Sequence, residues 1–261
     1  MKIATWNVNS VNARIEHLKK FIEIKQPDII LLQELKCQKE KFPFDALDEY
    51  NYNIEIYGQK SYNGVAILSK SPLEDVVVGI PELNNELDTE ARYIEAFTVI
   101  NNVPLRVSSV YVPNGSAIGS EKFLYKLHFL EKLKSHLAGL YKKEENIIIA
   151  GDLNIAPEEL DVYNPKALDG HIGFHIQERS MLRSILNSGF TDTFRALNPD
   201  LQEFSWWDYR SGGYSQNKGM RIDHILASAE ISDMISNIEI FKDTRVWSKP
   251  SDHAPVICYM R

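Results

Sequence analysis

Apolar residues recur along this chain in two rhythms, and the change from one to the other marks out its elements. Lys2 to Trp6 alternates apolar and polar positions and predicts a short strand, followed by a polar turn, Asn7 to Ser10, able to cap the next helix. From about Asn12 to Lys25 the spacing is helical: Ile15, Leu18, Phe21 and Ile22 share a face, and Pro27 stops the pattern. Asp28 to Leu32 reads as a buried strand that delivers Gln33 and Glu34 at its end. Between Tyr52 and Tyr111 come NIEIYGQ, GVAILS, DVVVG, ARYIEAFTVI and LRVSSVYV, separated by turn residues, a pattern of antiparallel sheet rather than repeated β-α-β units. Ser120 to Leu140 predicts a second long helix, with Phe123, Leu127, Leu130, Leu133 and Leu137 on one stripe.

The stretch Asn146 to Asn154, NIIIAGDLN, is an apolar strand that runs into Asp152 and Asn154. Such residues are ordinary turn formers, and they are also side chains able to hold metal, water or phosphate where a sheet fixes the backbone. The arrangement repeats that at Glu34. Two apolar strands, each ending in an acid and over a hundred residues apart, predict two sheets or half-folds converging on one pocket. Pro157 to Arg179 lacks periodicity and reads as a long surface loop, Glu178 to Ser188 as a short helix, and Asn198 to Met220 is rich in glycine and aromatics. Arg221 to Ala227, Ile238 to Phe241 and Val256 to Met260 close the sheet. With no linker, repeat or low-complexity tract, one domain over 1–261 is expected.

Composition adds bounds. At 261 residues and 44% apolar content the chain can bury a sizeable core. No segment approaches the roughly 20 consecutive apolar residues of a membrane helix, and MKIATWNVNS lacks the apolar core of a signal peptide, so a cytoplasmic protein with no membrane partner is expected. Cys37 and Cys258 are too few for a disulfide framework or a cysteine metal cluster and read as small buried hydrophobes. The net charge of -7 argues against indiscriminate nucleic-acid binding. Acids gathered around a divalent metal would still suit a phosphate substrate, provided Lys and Arg cluster along the binding face.

The polar residues that end apolar runs are Asn7, Glu34, Tyr111, Asp152, Asn154, Asp223, Asp252 and His253. Hard oxygen donors of this kind suit Mg²⁺ or Mn²⁺, whereas the scattered histidines and scarce cysteines speak against zinc. Glu34 is the first candidate for the metal; its alternative reading is an exposed helix-start carboxylate. Adjacent strand residues point to opposite faces, so Asp252 is poorly placed to orient His253. Asp223 is the candidate for that task, which leaves Asp252 free to approach the metal. His17, His128 and His136 fall in helical stretches and read as surface groups, while His171, His175 and His224 are undecided. Phe204, Trp206, Trp207, Tyr209 and Tyr214, with Met220 and Ile222, offer flat apolar faces for a sugar or an exposed base, or else core packing. Arg92 reads as a phosphate clamp or an exposed strand residue, and Asn114 as a loop donor.

Together, WNVNS, LQELK around Glu34, YVPNG at Tyr111 to Gly115, GDLN at Asp152, RIDH at Asp223 and SDHAP at His253 resemble the exonuclease III family of apurinic/apyrimidinic endonucleases, within the endonuclease/exonuclease/phosphatase superfamily. The motifs keep the family's order over essentially the whole chain, and YVPNG with FSWWDYRSGG resembles its DNA-repair branch. The resemblance implies an α/β fold, a four-layer αββα sandwich of two mixed sheets packed face to face with helices outside. It implies a Mg²⁺-dependent phosphodiesterase (Mn²⁺ substituting, one or two ions) that cuts double-stranded DNA 5′ to abasic sites, leaving a 3′-OH. Activity on blocked 3′ ends is implied too, as 3′-phosphodiesterase, 3′-phosphatase and 3′→5′ exonuclease, in base excision repair, by a monomer.

Carried across, the resemblance puts Glu34 and Asn7 in the metal site and makes Asp152 the residue that activates water, with Asn154 positioning water or phosphate. It makes Tyr111 a phosphate or leaving-group contact, Asn114 and Arg92 DNA-phosphate contacts, and Asp223 the orienting carboxylate of His253. Trp206, Met220 and Ile222 fall where the family builds its pocket for a flipped abasic sugar, Asp252 where it has a further metal-proximal acid, and a second metal would lie near Asp152 and Asn154. The chain starts almost at its first strand and in this looks like a bacterial-type member. Asn9 stands where animal members tend to carry an aspartate, and Arg210 where some insert an apolar side chain into the duplex. A superfamily phosphoesterase acting on a phospholipid or small phosphoester is the alternative, against which YVPNG and the aromatic segment argue. A catalytically silent DNA-binding module fits poorly with an intact set of acids, Asn and His.

Overall fold

The computed structural model describes residues 1–83, 90–143 and 146–261. The chain opens with strand β1 (Lys2–Asn7), helix α1 (Ile15–Lys25) and strand β2 (Ile29–Gln33), a right-length crossover that sets the two strands parallel with Asn7 opposite Gln33. Strands β3 (Asn53–Tyr57) and β4 (Val65–Ser69) extend this sheet by antiparallel pairing. A second sheet begins with the antiparallel run β5 (Glu74–Val78), β6 (Tyr93–Ile100) and β7 (Val103–Tyr111). Helix α2 (Glu121–Tyr141), capped by the Ser120 hydroxyl, then returns the chain to β8 (Ile147–Asp152), parallel to β7 with Tyr111 opposite Asp152.

The remaining elements are helices α3 (Pro165–Leu168) and α4 (Ile176–Leu186), strand β9 (Phe190–Asp192), helix α5 (Thr193–Leu197), the paired β10 (Trp206–Trp207) and β11 (Gly219–Met220), strand β12 (Asp223–Ser228), helix α6 (Ala229–Met234), and strands β13 (Ile235–Ile240) and β14 (Val256–Met260). Among the described residues the strands form two six-stranded sheets, β13-β14-β1-β2-β4-β3 and β5-β6-β7-β8-β12-β9, besides the small β10-β11 pair. Both are mixed.

The period-two alternation of the strands assigns their side chains to layers. Ile3, Ile29, Leu31 and Ile67 of the first sheet meet Leu105, Val107, Ile148, Ala150 and Ile225 of the second in one core between the sheets. The opposite faces are covered by helices: Ala4, Trp6, Ile30 and Leu32 pack under Leu18, Phe21 and Ile22 of α1, and Ile147, Ile149 and Leu226 pack under α2 and α4. The expected four-layer αββα sandwich is therefore what the chain forms. Along each inner face the apolar run ends at one rim of the sandwich in a polar side chain, Asn7 on β1 and Asp152 on β8. Gly151 makes the approach of β7 to β8 possible there, because a Cβ at this position would lie 1.9 Å from the Val110 carbonyl oxygen.

Several expectations shift. The helix expected from Asn12 starts at Ile15, and the one expected over Glu178 to Ser188 runs from Ile176 to Leu186. The buried face of α2 takes in Lys126, Phe129, His136 and Leu140, while Leu127 is only half-buried. His136 is accordingly not a surface group. Its Nε2 lies 2.9 Å from Glu95 beneath the helix. His17 is half-buried against Trp247, and His128 is exposed as expected. The stretch 157–179 is not a free surface loop: Asp161, Val162, Phe174 and Glu178 are buried, Phe174 and Val162 in a small apolar cluster and Asp161 paired at 2.7 Å with Arg221 just ahead of β12. Both cysteines are free and buried, as expected.

Candidate active site

The sheet registers bring the strand-end residues together. Tyr111, Asp152 and Asp223 lie abreast on β7, β8 and β12, since Asp152 is the register partner of both others. Facing them from the first sheet are Asn7 at the end of β1, Glu34 just past β2, and the segment 251–253 that leads into β14. Glu34, Lys36 and Asn154 all hold left-handed backbone with φ of 52°, 55° and 51°, a conformation that non-glycine residues keep only where surrounding contacts enforce it.

Those contacts form one network. The Asn7 amide donates to Glu34 Oε1 at 2.9 Å and to Asp152 Oδ2 at 3.0 Å, tying the two sheets' acids together. Its oxygen is taken by the Asn9 backbone N–H at 3.0 Å. Asn7 thus reaches the acids through its N–H donors, and its oxygen points away from them. Lys36 Nζ lies 2.8 Å from Glu34 Oε2 and also donates to Asn9 Oδ1 at 2.5 Å. The Asn9 amide in turn donates to Asp252 at 2.9 Å, and the Trp206 indole N–H to the other Asp252 oxygen at 3.1 Å. Asp252 is therefore held at the pocket wall and stands apart from the tight donor group described below.

His253 is oriented as the alternation of strand residues required: its Nδ1 lies 2.9 Å from Asp223 Oδ2, while its Nε2 faces Asp152 Oδ2 at 3.6 Å. Asp223 is fixed in turn by the Ser205 hydroxyl at 2.6 Å, and that hydroxyl accepts from the backbone N–H groups of Ile222 and Asp223. Asn154 is held by its backbone N–H on Asp152 Oδ1 at 2.9 Å and by its amide on the Val112 carbonyl at 2.9 Å.

A cleft of about 340 Å³ opens over this network. Glu34, Tyr111, Asn114, Asp152, Asn154, Asp252 and His253 line its polar side, and Trp206, Met220 and Ile222 with Ile172 its apolar side. Asn7 and Asp223 lie buried behind it. Arg92 sits in the neighbouring groove, stacked 4.9 Å over the Tyr111 ring and paired with Glu90 at 2.5 Å. Arg210 is exposed in a groove on the other flank that shares Trp206 and Met220 with the cleft. Trp207 and Phe204, by contrast, belong to the core.

Electrostatics separates the roles these groups can play. Burial is the largest influence on Asp152, and with the charges of Asp223 and Glu34 it outweighs the pull of His253, so this carboxyl is lifted to about 7. For His253 burial alone would favour the neutral ring, but Asp223 and Asp152 together win and raise it to about 10. The imidazole is thus a cation at neutral pH. Burial also works against the charge on Glu34, yet the hydrogen bonds from Asn7 and Lys36 hold its pKa below the ordinary value. Tyr111 is pushed well above its ordinary value by burial and by Glu34 and Asp152, so it keeps its proton.

Glu34, Asp152 and His253 each present an atom within 4.8 Å of the others. Two oxygen donors beside a pocket, with a surplus of acid around Asp152, fit a hard divalent cation; His253, already committed as a cation to two carboxylates, fits less well as its ligand. The sequence alone does not single out Lys36, Ser205 or Ser251. Ser251 donates to the Asn7 carbonyl at 2.7 Å and accepts from the His253 N–H. Lys36 and Ser251 lie inside LQELK and SDHAP, so the motifs held the signal, but nothing local distinguishes a serine that braces a neighbour from any other turn serine.

The model of the Endonuclease/Exonuclease/phosphatase family matches residues 4–253. The chain belongs to that family. It is 37% identical to exodeoxyribonuclease III of Haemophilus influenzae over 98% of both chains. Among solved structures, the 3′ phosphatase NExo from Neisseria, bound to a product DNA hairpin, is similar with a TM-score of 0.94 and 36% identity, over 100% of this chain and 99% of that one. An AP endonuclease from Archaeoglobus fulgidus is similar with a TM-score of 0.92 and 35% identity, over 100% and 99%. As a member of this metal-dependent nuclease family, the chain is a hydrolase of phosphodiester bonds. Among the described residues, no helix is long and apolar enough to cross a membrane.

Proposed function

We propose that this nuclease is a DNA-repair enzyme that cuts the backbone of double-stranded DNA 5′ to an abasic site, leaves a 3′-OH, and also clears blocked 3′ ends, using Mg²⁺ and acting as a monomer. The observation that carries the reading is the meeting of Asp152, Glu34 and His253 at the rim where both sheets end, beside an apolar wall of Trp206, Met220 and Ile222. The polar half suits a phosphodiester. The apolar half suits a sugar that has lost its base and has no Watson–Crick edge to offer.

Each residue has a task in this reading. Asp152, with a carboxyl poised near neutral pH, takes a proton from the attacking water at Oδ2. Asn154 and Asn114, whose amides lie 3.3 Å apart, orient that water and a phosphate oxygen. His253, charged and held by Asp223, neutralises charge growing on the non-bridging oxygens. Tyr111 retains its proton and can donate it in a hydrogen bond to the phosphate or the departing oxygen. Glu34, with Asp152 and braced by Asn7, would hold Mg²⁺. That cation would supply positive charge to stabilise the leaving oxyanion. Arg92 and Arg210, on the two flanks, fit backbone phosphates of the strand on either side.

The test is a labelled duplex carrying one tetrahydrofuran abasic analogue, incubated with Mg²⁺ or with chelator, alongside a 3′-phosphorylated primer and a phosphoinositide. Metal-dependent incision 5′ to the analogue is expected. Absence of incision with hydrolysis of the phosphoinositide would transfer the site to another branch of the family.

A further inference from the structure

Behind the cleft, outside the residues given catalytic tasks above, lies an ion pair fully removed from solvent: Lys126 on α2 and Glu178 on α4, both with side chains 0% exposed. An ammonium has three N–H donors, and here all three are spoken for. Lys126 Nζ donates to the carbonyl of Asn114 at 3.2 Å, to the carbonyl of Asn154 at 2.8 Å, and to Glu178 Oε1. The other Glu178 oxygen accepts from the backbone N–H of Gly173 at 2.8 Å and of His175 at 3.1 Å. Asn114, Asn154 and Gly173 come from three separate segments, and all three line the cleft. The stem of Lys126 also packs on Gly115, where an added Cβ would meet it at 3.1 Å.

We infer that the Lys126–Glu178 pair is a positioning device that sets the backbone of Asn114 and Asn154 against Asp152. Stability alone gives no reason for it, since apolar side chains of similar volume commonly replace a buried ion pair without loss. What apolar side chains cannot do is fix two carbonyls and two N–H groups of three loops at one point. Asn154 depends on such fixing, because its left-handed backbone is held in place by neighbours rather than by its own preference. The aim of its amide, and of the Asn114 amide beside it, follows from the carbonyls that Lys126 holds. Glu178 extends the same anchor to Gly173 and so to the side of the cleft that faces Asn154.

The inference rests on the proposed tasks of Asp152 and Asn154, so the wild-type protein is assayed first on the abasic duplex with Mg²⁺. No incision would overturn that reading and this one with it. With an active wild type, Lys126→Met should lower kcat between about 10- and 100-fold while KM changes less than about threefold, the pattern of a misaimed group rather than a lost contact. Far-UV circular dichroism and the unfolding midpoint, taken in parallel, express kcat per folded molecule. A Lys126→Met enzyme with wild-type kcat per folded molecule overturns the positioning role while leaving the proposed function intact. If the methionine variant does not fold, Glu178→Gln decides: a fall in kcat at unchanged KM supports the inference, and an unchanged kcat overturns it.

Discussion

Asp152 and His253 face each other across 3.6 Å, both nearly buried on the wall of the cleft, and each is what it is because of the other and of Asp223. Burial lifts Asp152 to about 7, and the two acids lift His253 to about 10. In the proposed mechanism Asp152 must lose its proton and His253 must keep its own. The pH profile of kcat should therefore be bell-shaped, rising as Asp152 ionises and falling as His253 discharges. Because a divalent cation adds positive charge beside Asp152, raising the Mg²⁺ concentration should move the acid limb to lower pH. His253→Asn should lower kcat by about 10²- to 10⁴-fold. A profile flat from about pH 6 to about pH 10, or an acid limb indifferent to Mg²⁺, would contradict these assignments. At this scale the sequence disclosed most of the actors, since polar residues that end apolar strands stand out. It did not disclose the braces. Ser205, Ser251, Lys36 and Lys126 act through a neighbour's carbonyl or carboxylate, and such a partnership exists only once separate segments have met.

At the scale of elements, strands were read better than the connections between them. A strand shows itself either by alternation, as from Lys2 to Trp6, or by a short apolar run, as in Asp28 to Leu32 and Val256 to Met260, and all three lie within a residue of the observed bounds. The short helices α5 and α6 leave no signal in the sequence, because one or two turns are too brief to show a period of 3.6 residues. The stretch 157–179 reads as a loop because its order comes from a distant partner. Arg221, fully buried, holds Asp161 at 2.7 Å and Asp192 at 2.8 Å, and thereby ties that stretch and the start of α5 to the strand carrying Asp223. Burial would raise the Asp192 carboxyl, but Arg221 dominates and holds it at about 2, against an ordinary value of 3.8. A depressed carboxyl contributes stability that is present above its unfolded value and lost as pH falls toward its folded one. Between about pH 4 and about pH 2 the protein should lose on the order of 2 kcal/mol through this group. Urea unfolding across that range should show a shallower acid dependence in Asp192→Asn than in the wild type, and parallel curves would rule out the clamp.

At the scale of the whole molecule, a chain of net charge -7 belongs to a nuclease family, and the distribution of charge reconciles the two. The acids crowd the floor of one cleft, while Arg92 and Lys122 border the groove on one flank and Arg210 and Lys218 the groove on the other. The sandwich itself makes this possible. Each sheet is built around a parallel pair joined by a helix, β1-α1-β2 and β7-α2-β8, and both pairs deliver their polar ends to the same rim. That convergence was readable from two apolar strands ending in acids. Which strands share which sheet was not, since the antiparallel run after Tyr52 divides between the two sheets without any change in its sequence rhythm. The central claim, that the rim is a phosphodiesterase site with Asp152 as its base, is tested most directly by Asp152→Asn on an abasic duplex with Mg²⁺, comparing the dissociation constant with steady-state turnover. The claim predicts binding close to wild type and turnover reduced by at least about 10²-fold; turnover near that of the wild type would contradict it.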